Sequence, residues 1–100
     1  MFNHSVYFWL KQDLDDDARD AFEKGLQSLC DNPPAKSGYY GKPAPAHRDV
    51  VDGSYDYGMI LMFDDAAAEE VYQGGEVHQR FIADHSSKWD RVLVYDTEIE

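Results

Sequence analysis

The stretch HSVYFWLK, residues 4–11, is the part of the sequence from which the fold is predicted. Bulky side chains that favour β-structure follow one another without Gly or Pro, which predicts a first strand here. Successive side chains of a strand point to opposite faces. One face carries His4, Val6, Phe8 and Leu10, and the other carries Ser5, Tyr7, Trp9 and Lys11. Because aromatic side chains occur on both faces of this strand, we expect other parts of the structure to cover both faces of its sheet and shield them from water.

The residues after this strand have the pattern of an amphipathic helix. Asp15, Asp16 and Asp17 supply an N-cap and the acidic first turn that the helix dipole favours. The prolines at 33 and 34 end the helix, since proline cannot donate the next backbone hydrogen bond. Between these limits apolar residues recur at steps of three and four, which predicts one buried face: Ala18, Ala21, Phe22, Leu26 and Leu29.

The remaining elements are predicted from the same two patterns, the alternation of side chains along a strand and the steps of three and four residues along a helix. Short runs of β-favouring residues predict the other strands: 39–40 with 48–51 in a segment rich in Gly and Pro, then 55–63, and finally 91–97. A second helix is predicted over residues 66–72. The adjacent Gly74 and Gly75 interrupt it, and residues 77–89 are expected to form a short helical segment and a loop.

The order β-α-β-β-α-β over residues 1–100 predicts a single α+β domain of the ferredoxin-like class. Its four-stranded antiparallel sheet would carry the helices on one face. Residues 59–63 are apolar at every position, whereas a sheet with one face in water alternates apolar and polar residues. We therefore expect a second copy of the chain to cover the other face, which predicts a homodimer packed through its sheet faces.

Composition excludes several kinds of partner. The 100 residues include 9 Lys and Arg against 20 Asp and Glu, so the net charge is −11 and nucleic acid or an anionic membrane surface would be repelled. The apolar run 59–63 is far shorter than the ~20 residues of a membrane span. The first residues lack the pattern of a signal peptide, and Cys30 has no partner for a disulfide. A cytoplasmic location is expected.

The candidates for chemistry are histidines, because imidazole changes charge near neutral pH. Tyr72 precedes the double glycine and His78 follows it, so the helix break can direct a phenol and an imidazole toward one pocket. For His78 the structural and the functional interpretations stay open at this point. His4 is interpreted first as a polar group at a strand end, and His47 and His85 as structural or solvated residues.

Sequence motifs for metals, nucleophiles and phosphates are absent. No His-Glu-x-x-His and no paired Cys occurs, and the aspartates at 15–17 lack the Gly and distal Glu of a calcium loop. There is no G-x-S-x-G nucleophile motif and no glycine-rich phosphate loop. The sequence therefore predicts neither a metal nor a cofactor.

Three parts of the chain form a recognisable set: the opening HSVYFWLK, the segment SYDYGM at 54–59 that leads to Phe63, and the spacing of Tyr72, His78 and Phe81. This set resembles the stress-responsive A/B barrel (Dabb) family of dimeric α+β barrels. The family usually places His-Pro where Gly75 and Glu76 stand here. The resemblance implies a ferredoxin-like protomer whose sheet pairs with that of a second protomer to form a barrel.

The resemblance also implies a site. In a plant branch of the family that cyclises polyketides, the positions of Tyr72, His78 and His4 surround the substrate. His78 would then be the general base for a proton α to a carbonyl, Tyr72 would orient the carbonyl oxygen, and His4 would line the pocket. Apolar residues would form the walls around a small apolar or aromatic ligand: Val6, Phe8 and Phe81, with Phe22, Leu26, Met59 and Leu61 as further candidates.

Three functional hypotheses remain open. The first is a dimeric small-molecule-binding protein with a cyclase-like or lyase-like acid–base pocket built on Tyr72 and His78. The second is a non-catalytic stress-response dimer whose histidines are structural. The third is a monooxygenase-like enzyme of the same barrel type, for which the sequence offers no cofactor motif.

Overall fold

The computed structural model describes residues 1–100 as a ferredoxin-like α+β fold, as predicted. Four strands and three helices follow one another in the order β1 (Phe2–Leu10), α1 (Asp16–Cys30), β2 (Ser37–Gly41), β3 (Tyr57–Phe63), α2 (Ala66–Gly74), α3 (Glu76–His85) and β4 (Trp89–Glu98). A single 3-10 turn, Ser86–Lys88, joins α3 to β4. No helix combines the length and the apolar character that crossing a bilayer requires.

The sheet has the strand order β2-β3-β1-β4, and every neighbouring pair is antiparallel. The first strand therefore lies inside the sheet, with Val6 opposite Met59 on one side and Val94 on the other. The alternation predicted for β1 is confirmed, because one face contributes its side chains to the core: Phe2, His4, Val6, Phe8 and Leu10. Alternate residues of β3 join them: Tyr57, Met59, Leu61 and Phe63.

The opposite face of the sheet, which we call the outer face, carries large exposed apolar side chains. Tyr39, Ile60 and Tyr95 lie in one row across the sheet, since Ile60 pairs with both Tyr39 and Ser5, and Ser5 pairs with Tyr95. Ile60 is 44 % exposed in the protomer. A polar residue would be expected at such a position if the face were in water.

The segment between β2 and β3 differs from its prediction. Residues 48–51 form a turn and open loop instead of a strand, and β3 begins at Tyr57 instead of position 55. The prolines at 43 and 45 remove two backbone donors from this segment, and Val50 is 87 % exposed with no strand beside it. The loop returns to the sheet where the Asp56 carboxylate accepts a hydrogen bond from the Leu10 amide at 2.7 Å.

The helix break predicted at the double glycine is confirmed. α2 ends at Gly74, Gly75 is extended with φ −77° and ψ 161°, and α3 begins at Glu76. The new direction lets α3 pack against α1, where Gly25 leaves the space that His85 occupies. A Cβ atom at position 25 would lie 2.7 Å from Nε2 of His85. The break therefore separates Tyr72 on α2 from His78 on α3, and each helix positions one of them.

Candidate functional site

A cavity of about 220 Å³ lies between the inner face of the sheet and helices α2 and α3. All six residues proposed from the sequence line it: His4, Val6, Phe8, Tyr72, His78 and Phe81. Met59 also lines it, whereas Phe22, Leu26 and Leu61 are fully buried in the core and do not. The sequence therefore identified one side of the cavity, and three of its further wall candidates belong to the core instead.

The other side of the cavity comes from β4 and α3. Trp89, Val92 and Val94 of β4 and Ile82 of α3 complete the apolar wall, and Gln73 adds an amide. Val92 and Val94 lie opposite Phe8 and Val6 of β1, on the inner face. The sequence pattern that indicates this wall is the alternation of apolar residues along the last strand.

Tyr72 and His78 face each other across the break at Gly75. Their ring centroids are 5.0 Å apart, with an edge-to-face arrangement. Nδ1 of His78 is buried and has no hydrogen-bond partner within the chain. Burial lowers the pKa of His78 below its ordinary value, although the backbone of Gln73 acts in the opposite direction. The imidazole is therefore neutral at neutral pH and can accept a proton.

Tyr72 is almost completely enclosed, with 1 % of its surface exposed. Its ring packs against the rings of Phe63, at a centroid distance of 5.3 Å, and His4, at 5.8 Å. Burial, followed by the nearby Cys30 and Glu69, raises the pKa of the Tyr72 phenol. The hydroxyl keeps its proton across the physiological pH range and can donate a hydrogen bond to a ligand oxygen.

The third polar group of the cavity, His4, lies beside two carboxylates. Its Nδ1 is hydrogen-bonded to Oδ1 of Asp96 at 2.7 Å, and Oε1 of Glu69 lies 3.7 Å away. These three residues come from β1, β4 and α2, and their nitrogen and oxygen atoms all lie within 4.8 Å of one another. Glu69 and Asp96 were not predicted as site residues from the sequence, because no local spacing connects either of them to His4.

The remaining histidines lie away from the cavity. His47 is exposed in the loop between β2 and β3. His85 is buried beside Gly25, and its Nδ1 lies 2.9 Å from Nζ of Lys88. Burial and, secondarily, Lys88 lower the pKa of His85, so it is neutral in the fold. Burial and, secondarily, Asp31 raise the pKa of the Cys30 thiol to about 11, so the thiol stays protonated at neutral pH.

Together these groups form an apolar cavity that presents a neutral imidazole and a protonated phenol on the same wall, on a ferredoxin-like α+β scaffold. Residues 2–99 match the family model of the stress responsive A/B barrel domain (Dabb), so the chain belongs to this family. The family predicted from the opening strand, the third strand and the Tyr72, His78 and Phe81 spacing is confirmed. No curated protein matches the chain significantly in sequence.

Solved structures share the fold over nearly the whole chain. A protein from Arabidopsis thaliana, At3g17210, superposes with a TM-score of 0.82 at 20 % identity, covering 100 % of this chain and 96 % of that one. A dimeric ferredoxin-like protein of unknown function from Thermobifida fusca superposes with a TM-score of 0.78 at 17 % identity, covering 98 % of this chain and 90 % of that one. The hydroxynitrile lyase of Passiflora edulis superposes with a TM-score of 0.79 at 19 % identity, covering 99 % of this chain and 93 % of that one.

Proposed function

We propose that the protein binds a small, largely apolar carbonyl compound in this cavity and acts on it by acid–base catalysis. The observation that carries the proposal is the pair formed by neutral His78 and protonated Tyr72, with their rings 5.0 Å apart. A base and a hydrogen-bond donor on one apolar wall are the two groups that proton abstraction next to a carbonyl requires.

The proposed reaction begins when the ligand carbonyl accepts a hydrogen bond from the Tyr72 hydroxyl. The His78 imidazole then removes a proton from the α-carbon, the electrons of the broken C–H bond form the C=C bond of an enolate, and the π electrons of the carbonyl move onto its oxygen. Tyr72 stabilises the resulting enolate, whose negative charge would otherwise be costly in an apolar cavity. An enolate of this kind is the nucleophile for an intramolecular ring closure, as in a cyclase.

The dimensions of the cavity limit the ligand. Ligand sites for drug-sized molecules measure roughly 300–1,000 Å³, whereas an apolar cavity of roughly 150 Å³ holds benzene. The present cavity, at about 220 Å³, suits a molecule with a single ring or a short chain. Because Val92 and Val94 are 42 % and 43 % exposed on the edge strand, a longer tail would leave along β4.

A thermal-shift screen tests whether the cavity binds such ligands. Phenols, aromatic acids, short polyketide mimics and hydroxynitriles form the panel, the last because one protein of this fold is a hydroxynitrile lyase. A ligand present at 100 times its Kd stabilises the fold by about 2.7 kcal/mol. We expect at least one of these compounds to raise the melting temperature of the wild type, and to raise that of His78→Ala much less.

The exposed His47→Ala variant is the matched control and should respond to each ligand as the wild type does. If no compound stabilises the wild type and the dimer is normal, the result favours the second hypothesis, a non-catalytic stress-response dimer. If a compound stabilises wild type and His78→Ala equally, the ligand binds without contacting His78 and the acid–base proposal is wrong.

The proposal includes a homodimer that buries the outer face of the sheet. Its support is the row of exposed apolar side chains at Tyr39, Ile60 and Tyr95, together with the description of the Thermobifida fusca relative as dimeric. Two sheets packed face to face would remove these side chains from water, which favours association in proportion to the apolar area buried.

Replacing Ile60 with glutamate is expected to dissociate this dimer, because the charge would be buried without a partner. Light scattering should give about twice 11.5 kDa for the wild type and a mass near 11.5 kDa for Ile60→Glu. Val50→Glu introduces the same charge at a loop position that is 87 % exposed, and should remain dimeric. A monomeric wild type, or a dimer that tolerates Ile60→Glu, contradicts the proposed interface.

A further inference from the structure

We propose that His4, Glu69 and Asp96 form a binding site for a divalent transition-metal ion, such as Zn²⁺. The three side chains reach one point from β1, α2 and β4. They offer one imidazole nitrogen and two carboxylate oxygens, a mixed donor set that Zn²⁺ and Mn²⁺ accept more readily than Ca²⁺ or Mg²⁺, which prefer oxygen alone. The cluster shares His4 with the wall of the cavity, 5.8 Å from the ring of Tyr72, but neither Tyr72 nor His78 is one of its three donors.

The distances between the donor atoms suit an ion at their centre. Oδ1 of Asp96 and Oε1 of Glu69 lie 2.7 and 3.7 Å from Nδ1 of His4, and all three donors lie within 4.8 Å of one another. Ligands about 2.1 Å from a tetrahedral ion are roughly 3.4 Å apart. Small adjustments of the side chains, chiefly an outward movement of the Asp96 carboxylate, would place an ion between them.

The charges of the cluster give a second reason for a cation. Glu69 is only 9 % exposed, and a buried carboxylate is stable when it is paired or coordinates a metal. Neither Glu69 nor Asp96 forms an ion pair with Lys or Arg, whereas Asp64 and Glu76 do, with Lys36 and Arg80. His4 supplies at most one positive charge to two carboxylates, so a divalent ion would balance both.

The surroundings of the cluster fit a metal site as well. The Gln73 amide donates a hydrogen bond to Oε1 of Glu69 at 2.9 Å, the kind of outer contact that orients a ligating carboxylate. The Asp96 side chain is 44 % exposed on the edge strand, which gives an ion and its remaining water ligands a route from solvent. Coordination by Nδ1 would leave the ring proton of His4 on Nε2.

Isothermal titration calorimetry of the full chain with Zn²⁺ tests the site. We expect one ion per chain, and at least a tenfold weaker Kd for both Glu69→Gln and Asp96→Asn, which keep the shape of the side chain but remove its charge. Glu70→Gln is the matched control, because Glu70 is the exposed neighbour of Glu69 on the same helix and lies outside the cluster. This control should bind Zn²⁺ as the wild type does.

Circular dichroism of the metal-free variants establishes that they are folded; should Glu69→Gln unfold, the more exposed Asp96→Asn still tests the site. Cobalt provides a second readout, since Co²⁺ bound by one nitrogen and two oxygens gives a visible absorption that should be weaker for Asp96→Asn than for the wild type at the same cobalt concentration. Absence of Zn²⁺ binding by the wild type overturns the proposal. Equal binding by wild type and both cluster variants also overturns it, because the ion would then be an adventitious ligand of the acidic surface.

Discussion

Replacing His78 with alanine is expected to slow proton exchange at the α-carbon of a bound carbonyl ligand by about 10²–10⁴-fold, the usual contribution of one positioned general base. The structure gives the reason: burial keeps this imidazole neutral, and Nδ1 has no hydrogen-bond partner within the chain. Tyr72→Phe should also slow the exchange, since the ring remains but the donor to the enolate oxygen is lost.

The exchange can be followed by NMR in deuterated water, with a short polyketide mimic that stabilises the wild type in the thermal-shift screen. Because the pKa of His78 is below its ordinary value of about 6.5, the wild-type rate should be constant at neutral pH and fall only in more acidic solution, where the imidazole becomes protonated. His47→Ala, at an exposed loop position, should exchange at the wild-type rate. An unchanged rate in His78→Ala would exclude this residue as the base.

Replacing Phe22 with alanine should cost about 3–5 kcal/mol of the free energy of unfolding, the range for removing a large aromatic side chain from a core. Phe22 is fully buried at the centre of an aromatic cluster. Its ring lies 5.2 to 6.4 Å from five neighbouring rings: Phe8, Tyr57, Phe81, His85 and Trp89. Domains are stable by only about 5–15 kcal/mol, so this single change removes a large part of the total.

Urea unfolding followed by circular dichroism measures the loss. Phe22→Leu should lose less than Phe22→Ala, because a leucine side chain fills part of the space. Val71→Ala, at a position of α2 that is 64 % exposed, is the control and should change the free energy by no more than about 0.5 kcal/mol. Similar small losses at Phe22 and Val71 would mean that the aromatic cluster contributes little to stability.

The sequence predicted those parts of the candidate site whose information is local. Alternation along β1 placed His4, Val6 and Phe8 on one face, and the double glycine marked the break between Tyr72 and His78. Asp96 escaped prediction because it meets His4 only through the pairing of β1 with β4, 92 residues later. Nothing in the spacing of either strand specifies which strands become neighbours.

The prediction of a strand at residues 48–51 was wrong for a similar reason. Its residues have some preference for extended structure, but a strand needs a neighbour with free backbone donors and acceptors, and the prolines before it hold the segment away from the sheet. The apolar wall from Val92 and Val94 was visible as a pattern on the last strand. The sequence could not show that these valines line a cavity, because that depends on β4 lying beyond the part of the sheet that the helices cover. Only the three-dimensional structure gives this position.

The position of β4 at the edge of the sheet, beside β1, affects how the protein is made in the cell. On the ribosome, β1, β3 and the helices emerge before β4, so they can associate while one edge of β1 is still unpaired. Pairings between distant parts of a chain form slowly, and an unpaired apolar strand is prone to aggregate. The wall of the candidate cavity that Val92 and Val94 supply is therefore synthesised after the others, and until β4 pairs, the open edge of β1 can associate with other chains.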